Sequence, residues 1–282
     1  MDSLVTTEWL ANEMGASDLR IVDASWHMPA SGRSGLDEYL AGHIPGAVFM
    51  DLADLVDTAS PVDNTLPPPE KFASRMQSLG LGDGSRIVLY DNSPYKSAAR
   101  AWWMLSQVFG AHGVAILDGG FAKWQAEGRP VESGKPHIRH RHFTVWKNAK
   151  VVRDKAQILA NLDSKAEQIL DARGAARFTG EESDPRPQVA SGHIPGSFNL
   201  PFGQMFNPDG TWKQGDALKA AFEGAGIDLS RPLVATCGSG LTAATLVFGA
   251  HLLGKEDVAL YDGSWSDWGS DPDTPKALGP AR

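Results

Sequence analysis

The sequence predicts an α/β protein built from two tandem copies of one domain, each a mostly parallel β-sheet covered by helices on both faces. Three observations predict it. The chain states most of its landmarks twice, in the same order. Within each copy, short β-branched runs ending in Asp or Gly alternate with helical stretches, the pattern of a parallel sheet with functional loops at the carboxyl ends of its strands. The gaps also agree: Asp23 to His43 spans 20 residues and Asp171 to His193 spans 22, while Asp91 to Asp118 spans 27 and Cys237 to Asp262 spans 25. That period is far too long for a solenoid.

In the first copy, helices are expected over Thr7–Met14, Glu70–Leu79 and Ala98–Phe109. Strands are expected at Ile21-Val22-Asp23-Ala24 and Arg86-Ile87-Val88-Leu89-Tyr90-Asp91. Gly42-His43-Ile44-Pro45-Gly46 reads as a turn, residues 57–69 as a proline-rich surface or rim loop, and Leu117-Asp118-Gly119-Gly120-Phe121 as a further strand end. The second copy returns these as Ile169-Leu170-Asp171-Ala172, Gly192-His193-Ile194-Pro195-Gly196, Pro232-Leu233-Val234-Ala235-Thr236-Cys237 and Tyr261-Asp262-Gly263-Ser264-Trp265. Its clearest helices are Leu218–Gly224 and Thr242–Leu253. Domains are therefore placed at residues 1–130 and 154–282, with 131–153 as a linker. The stretch His137-Ile138-Arg139-His140-Arg141-His142 in that linker mixes its histidines with arginines and lacks a nearby carboxylate or thiolate, so it reads as a solvated strand rather than a metal site.

Composition bounds the function. The 282 residues are 42% hydrophobic and 21% charged, those of a globular protein with a sizeable core. Twenty-six basic against 34 acidic residues leave a net charge of −8, which argues against nucleic acid or an anionic membrane as the main partner. The N-terminus lacks the basic and apolar regions of a signal peptide, and no apolar run has transmembrane length. One cysteine excludes an internal disulfide framework, so a reducing cytoplasm is the expected location.

That cysteine opens Cys237-Gly238-Ser239-Gly240-Leu241-Thr242-Ala243, between an apolar strand and a buried helix. Gly238 and Gly240 let the loop curl so that successive N–H groups point inward as an anion-binding nest. The helix N-terminus behind it adds positive potential, which favours thiolate over thiol. A lone cysteine is commonly a small buried hydrophobe; this loop makes it a candidate nucleophile. The first copy has Asp91 there and lacks the two glycines, so it is expected to be catalytically silent and to build a cleft wall. A stretch particular to the second copy carries Arg177 and Arg186. Their guanidinium forks suit a planar carboxylate, although pairing with Glu181, Glu182 or Asp184 on the surface is the bland alternative. Trp265, Trp268 and Tyr95 either line the cleft or pack.

The duplicated Gly-His-Ile-Pro-Gly and Asp-Gly motifs resemble the tandem rhodanese-domain sulfurtransferases over nearly the whole chain, and the cysteine loop resembles that of their 3-mercaptopyruvate branch. That branch reads Cys-Gly-Ser-Gly-Val-Thr-Ala, so Leu241 is a conservative departure. The thiosulfate-preferring branch has Arg and Lys after the cysteine, where this chain has the neutral Gly238 and Ser239. The resemblance implies that Cys237 takes sulfur from 3-mercaptopyruvate as a persulfide and releases pyruvate. It implies that Arg177 and Arg186 bind substrate together with the loop residues Gly238, Gly240, Leu241 and Thr242, and that the acceptor is a small thiol, thioredoxin or, in the laboratory, cyanide, with no metal or organic cofactor. It further implies a proton relay from Ser239 to His43 and an acid, near which Ser34 falls, with Asp37 as a neighbour. His43 has a structural twin in His193, which equally suggests a turn-holding role. Three rivals remain: a thiosulfate:cyanide sulfurtransferase, which the neutral loop argues against; a persulfide carrier or docking module; and a cysteine phosphatase, which would need an arginine closing the loop, whereas the next one is Arg282.

Overall fold

Apolar runs closed by Asp or Gly become strands, and the stretches between them coil back as helices. The computed structural model describes residues 1–281; Arg282 lies outside them. The first unit contains β1 (Leu4–Val5), α1 (Thr7–Glu13), β2 (Leu19–Asp23), α2 (Gly35–Ala41), β3 (Ala47–Phe49), α3 (Pro69–Ser78), β4 (Arg86–Tyr90), α4 (Ala98–Trp102), β5 (Val114–Leu117) and α5 (Gly120–Ala126). The second contains β6 (Val152–Arg153), α6 (Lys155–Ser164), β7 (Gln168–Asp171), α7 (Ala175–Thr179), β8 (Phe198–Asn199), α8 (Gly215–Gly224), β9 (Leu233–Thr236), α9 (Ala243–Leu252), β10 (Val258–Tyr261) and α10 (Ser264–Trp268). Helix starts follow local chemistry. Thr6 caps α1 by accepting the Trp9 N–H, and Asp154 and Gln157 form a capping box on α6.

Each unit has a five-stranded parallel sheet, in the orders β1-β5-β4-β2-β3 and β6-β10-β9-β7-β8, which are one topology repeated. The registers coincide as well: Asp23 lies opposite Tyr90 and Asp171 opposite Thr236, so Asp91 and Cys237 both leave their sheets at the same point. Even the core repeats itself. Trp124 and Trp268 are fully buried, and their indole N–H groups donate to the carbonyls of Pro130 (2.7 Å) and Pro275 (2.8 Å).

Three features differ from the composition-based expectation. Residues 131–148, expected as part of a linker, belong to the first unit: His43 and Glu132 pair backbone to backbone, Phe143 is buried, and the Trp146 N–H donates to the Phe109 carbonyl. The helix expected over Ala98–Phe109 stays α-helical only to Trp102 and continues as a π-helix over Trp103–Val108. Two short segments also change sides: residues 58–65 group with the second unit, and Phe206–Trp212 with the first, where the Trp212 N–H donates to Asp118 Oδ1 (2.8 Å). Neither exchange has a signature that periodicity could reveal.

The two sheets treat an equivalent buried carboxylate differently. Asp171 is paired with the Arg173 guanidinium (2.6 Å), itself stacked on Trp265. At the equivalent place in the first unit stands Ser25, and Asp23 is buried without a cation; burial pushes its carboxyl up to about 6, against hydrogen bonds from Ser25 and Tyr90 that pull it down. A carboxyl whose native pKa exceeds its unfolded value of 3.8 holds its proton more tightly in the folded protein. Stability therefore falls as pH rises from about 4 to about 6. Asp23→Asn keeps the acceptor for the Ser25 N–H and removes the charge. The variant is expected to exceed wild-type stability at neutral pH by about 2–3 kcal/mol, an advantage that fades below about pH 4. Denaturant titrations at the two pH values check this, and a difference independent of pH would contradict it.

Candidate active site

The four residues of β9 are all buried, and the strand delivers Cys237, 1% exposed, to its carboxyl end. The following loop is pinned from one side by the turn that starts α10. The Cys237 N–H donates to Ser264 Oγ (3.2 Å), and its carbonyl accepts from the Trp265 N–H (2.9 Å). The Gly238 carbonyl accepts from the Ser266 N–H and from Ser266 Oγ, both at 2.8 Å. Ser264 holds this position at φ +50°, a conformation costly for a residue with a side chain, and its hydroxyl also donates to the Tyr261 carbonyl. Gly240 at φ +77° then turns the chain into α9, whose cap residue Thr242 makes no side-chain bond to the helix start. Among the described residues, no protein acceptor takes the N–H groups of Gly238, Ser239, Leu241 or Thr242. Such a loop offers donors to an anion carried beside the cysteine.

The first unit supplies an internal comparison. Its equivalent loop, one residue longer, closes around its own carboxylate: Asp91 accepts the N–H groups of Ser93 (3.0 Å) and Ala98 (2.8 Å). Desolvation raises the Asp91 carboxyl, opposed by those two N–H groups. A loop satisfied by its own side chain has no nucleophile to offer.

Arg177 and Arg186 come together at the cysteine loop. A Cβ placed on Gly238 would lie 3.7 Å from Arg177 Nη2 and 3.9 Å from Arg186 Nη2, and Arg186 Nη2 donates to the Gly238 carbonyl (3.3 Å). Both are held by Asp184. Its carboxylate accepts from Arg177 Nη2 (2.6 Å) and from Arg186 Nε (2.8 Å) and Nη2 (3.0 Å), while Arg186 Nη1 donates to Ser266 Oγ. Burial resists ionisation of Asp184, but the bonds from Arg186 and Arg177 win and hold its carboxyl down at about 2. Arg177 Nε is buried without a hydrogen-bond partner. Beside Arg186 lies a cavity of about 360 Å³, walled by Pro61–Asp63, Lys155, Gln188, Ser266 and Asp271; the proline-rich excursion is thus a rim of the second unit.

His43 is placed differently. It is 1% exposed and stacked on Tyr39, with Nδ1 against the Tyr39 carbonyl (2.7 Å) and Nε2 against Glu132 (3.3 Å), all within the first unit. His193 repeats this on Phe178, with Nδ1 at 2.8 Å from the Phe178 carbonyl. Both immediately precede a turn, Ile44–Ala47 or Ile194–Ser197, with Pro at the second position and Gly46 or Gly196 at φ +77° or +75°. Within the first unit His43 thus holds the turn as its twin does. Its acidic neighbour there is Glu132, and Ser34 caps α2 by accepting the Asp37 N–H.

The aromatic residues near the loop pack: Trp265 and Trp268 are buried with their indole N–H groups on carbonyls, and Tyr95 meets Trp26 edge to face. Sequence reasoning missed the roles of Ser264, Ser266 and Asp184. The first had a signal, since Ser264 stands where the first copy has Gly120, also at positive φ. Among the described residues, no cluster of three or more His, Cys, Asp or Glu is placed to hold a metal, and no helix is long and apolar enough to cross a membrane.

In chemical terms, the site has a thiol, a ring of backbone donors and two guanidiniums that present donors beyond the carboxylate that holds them. That set suits nucleophilic attack on a small anion and stabilisation of negative charge on what leaves. Comparison with known proteins agrees. The rhodanese-like domain family matches residues 6–127 and again 154–271. The 3-mercaptopyruvate sulfurtransferase of Mus musculus is 42% identical over 272 residues, covering 94% of this chain and 91% of that one. The thiosulfate sulfurtransferase of Bos taurus is 41% identical over 273 residues, with the same two coverages. The crystal structure of SseA from Escherichia coli, described among 3-mercaptopyruvate sulfotransferases, superposes with a TM-score of 0.85 at 38% identity, covering 94% of this chain and 99% of that one.

Proposed function

The chain belongs to the rhodanese family, with two rhodanese-like domains in tandem, and on that premise we propose that it is a 3-mercaptopyruvate sulfurtransferase working through a persulfide on Cys237. Relatives of both donor classes match at nearly equal identity, so overall similarity does not choose the donor. The observation that carries the choice is local: the residues after Cys237 are neutral, and the cations at the loop are two arginines set for a planar carboxylate.

In the first half-reaction the Cys237 thiolate attacks the sulfur of 3-mercaptopyruvate. The new S–S bond forms as the C–S bond breaks, and its electron pair leaves on carbon as the enolate of pyruvate. Arg177 and Arg186 bind the carboxylate and the carbonyl oxygen on which that charge develops. Ser239, half-buried beside the cysteine, serves the proton that passes from the substrate thiol to the enolate. In the second half-reaction an acceptor thiolate takes the outer sulfur and restores the Cys237 thiolate. The chain has no second cysteine, so that acceptor is external: a small thiol, a dithiol protein such as thioredoxin, or cyanide in an assay. A reducing cytoplasm, where such thiols are plentiful, belongs to the same reading. No metal or organic cofactor enters the cycle.

Initial rates of sulfur transfer to cyanide test the donor assignment. Transfer from 3-mercaptopyruvate is expected to exceed that from thiosulfate by at least about tenfold in kcat/KM. A preference for thiosulfate would overturn the assignment in favour of the other relatives' activity.

A further inference from the structure

We infer that Asp184 is a positioning residue that sets the net charge of the donor pocket, and with it the preference for a singly over a doubly charged sulfur donor. The inference rests on the proposed sulfurtransferase activity and goes beyond it. Two guanidiniums with no acid between them would give the pocket a charge of +2, which suits a dianion such as thiosulfate. The pocket is not built that way. One carboxylate, 1% exposed at its side chain, bonds to both arginines, whose own side chains remain 26% and 25% exposed. Asp184 is therefore the buried hub and the arginines are its spokes toward the loop. The loop itself adds no charge, because Gly238 and Ser239 are neutral. The sum over Arg177, Arg186 and Asp184 is +1, the complement of one carboxylate on a donor whose thiol is neutral.

The geometry separates this role from simple anchoring. Asp184 uses Nη2 of Arg177 and both Nε and Nη2 of Arg186, and Ser266 takes Nη1 of Arg186. The side chains of Arg177 and Arg186 remain 26% and 25% exposed, so part of each guanidinium faces away from Asp184. A donor carboxylate can thus add to the network without displacing Asp184, and the two anions share the pair of cations. A second charge on the donor would meet Asp184 across the same guanidiniums. At this range such a repulsion is worth roughly ten- to a hundredfold in relative affinity.

The test is the ratio of kcat/KM for 3-mercaptopyruvate to that for thiosulfate, with cyanide as acceptor, in wild type, Asp184→Asn and Asp184→Glu. Asp184→Asn is expected to move the ratio toward thiosulfate by at least about tenfold, whereas Asp184→Glu keeps the wild-type ratio even where both rates fall. Equal losses for both donors in Asp184→Asn, or the same shift in Asp184→Glu, would show a merely structural residue and overturn the inference. Should Asp184→Asn fail to fold, Asp184→Ser decides: it removes the same charge with a smaller side chain and is expected to move the ratio toward thiosulfate by at least about tenfold, whereas an unmoved ratio would overturn the inference. A wild type that releases no pyruvate from 3-mercaptopyruvate refutes the functional reading, while normal turnover with an unmoved ratio refutes the role of Asp184 alone.

Discussion

Cys237→Ser is expected to lower sulfur transfer by at least about a thousandfold while leaving the fold intact. The serine is nearly the size of the cysteine, and the backbone of residue 237 keeps its bonds to Ser264 and Trp265, since neither uses the side chain. What changes is the chemistry. A hydroxyl stays protonated at neutral pH and does not carry a transferable sulfur, so both half-reactions lose their common intermediate. Pyruvate release from 3-mercaptopyruvate measures the effect, and an unchanged thermal unfolding profile shows that the loss is chemical. Residual activity above about a tenth of wild type would mean that sulfur passes by another route.

Arg177→Ala is expected to cost about a hundred- to a thousandfold in kcat/KM for 3-mercaptopyruvate. Charge-assisted hydrogen bonds to a buried anion are worth about 1.5–3 kcal/mol each, and the variant loses those that the exposed part of the Arg177 guanidinium offers beyond Asp184. The two half-reactions separate binding from a general disturbance. Arginine contacts serve the donor, so kcat/KM for the acceptor, measured independently in a ping-pong scheme, is expected to stay near wild type. A parallel fall in both would place Arg177 in the upkeep of the loop instead.

Much of this was legible in the sequence because duplication made the chain its own comparison. The repeated Asp, His and Asp-Gly landmarks gave the two domains and aligned Asp91 with Cys237, and the sheets place both at the same exit. Leu233–Thr236 and Ala243–Leu252 were readable as strand and helix because every residue between Leu233 and Thr236 is buried, and so is nearly every one of the helix. The exchange of residues 58–65 and Phe206–Trp212 was not legible. Those segments lack periodicity, and their positions depend on contacts distant in sequence. Residues 131–148 misled for a related reason: their polar composition describes the side facing water, whereas Phe143 and backbone hydrogen bonds fix them to the first unit.

At the site, residue type was more informative than role. Arg177 and Arg186 were found by motif and spacing, but Asp184 looked like one more surface acid. Only its burial shows that it holds both arginines. His43 is the opposite case. A histidine in a repeated motif invites a chemical role, and within its own unit both ring nitrogens are engaged beside a turn whose twin in the other copy is built the same way.

Sulfur transfer by this route passes through one covalent species, the Cys237 persulfide. Purified protein, reduced, freed of small thiols and mixed with 3-mercaptopyruvate without an acceptor, is expected to gain the mass of one sulfur atom on the peptide that contains Cys237 and to release one equivalent of pyruvate. Adding cyanide should then remove that sulfur as thiocyanate and restore the original mass. Steady pyruvate release under these conditions with no sulfur on Cys237 would contradict the account, because the sulfur would then be leaving without ever residing on the protein.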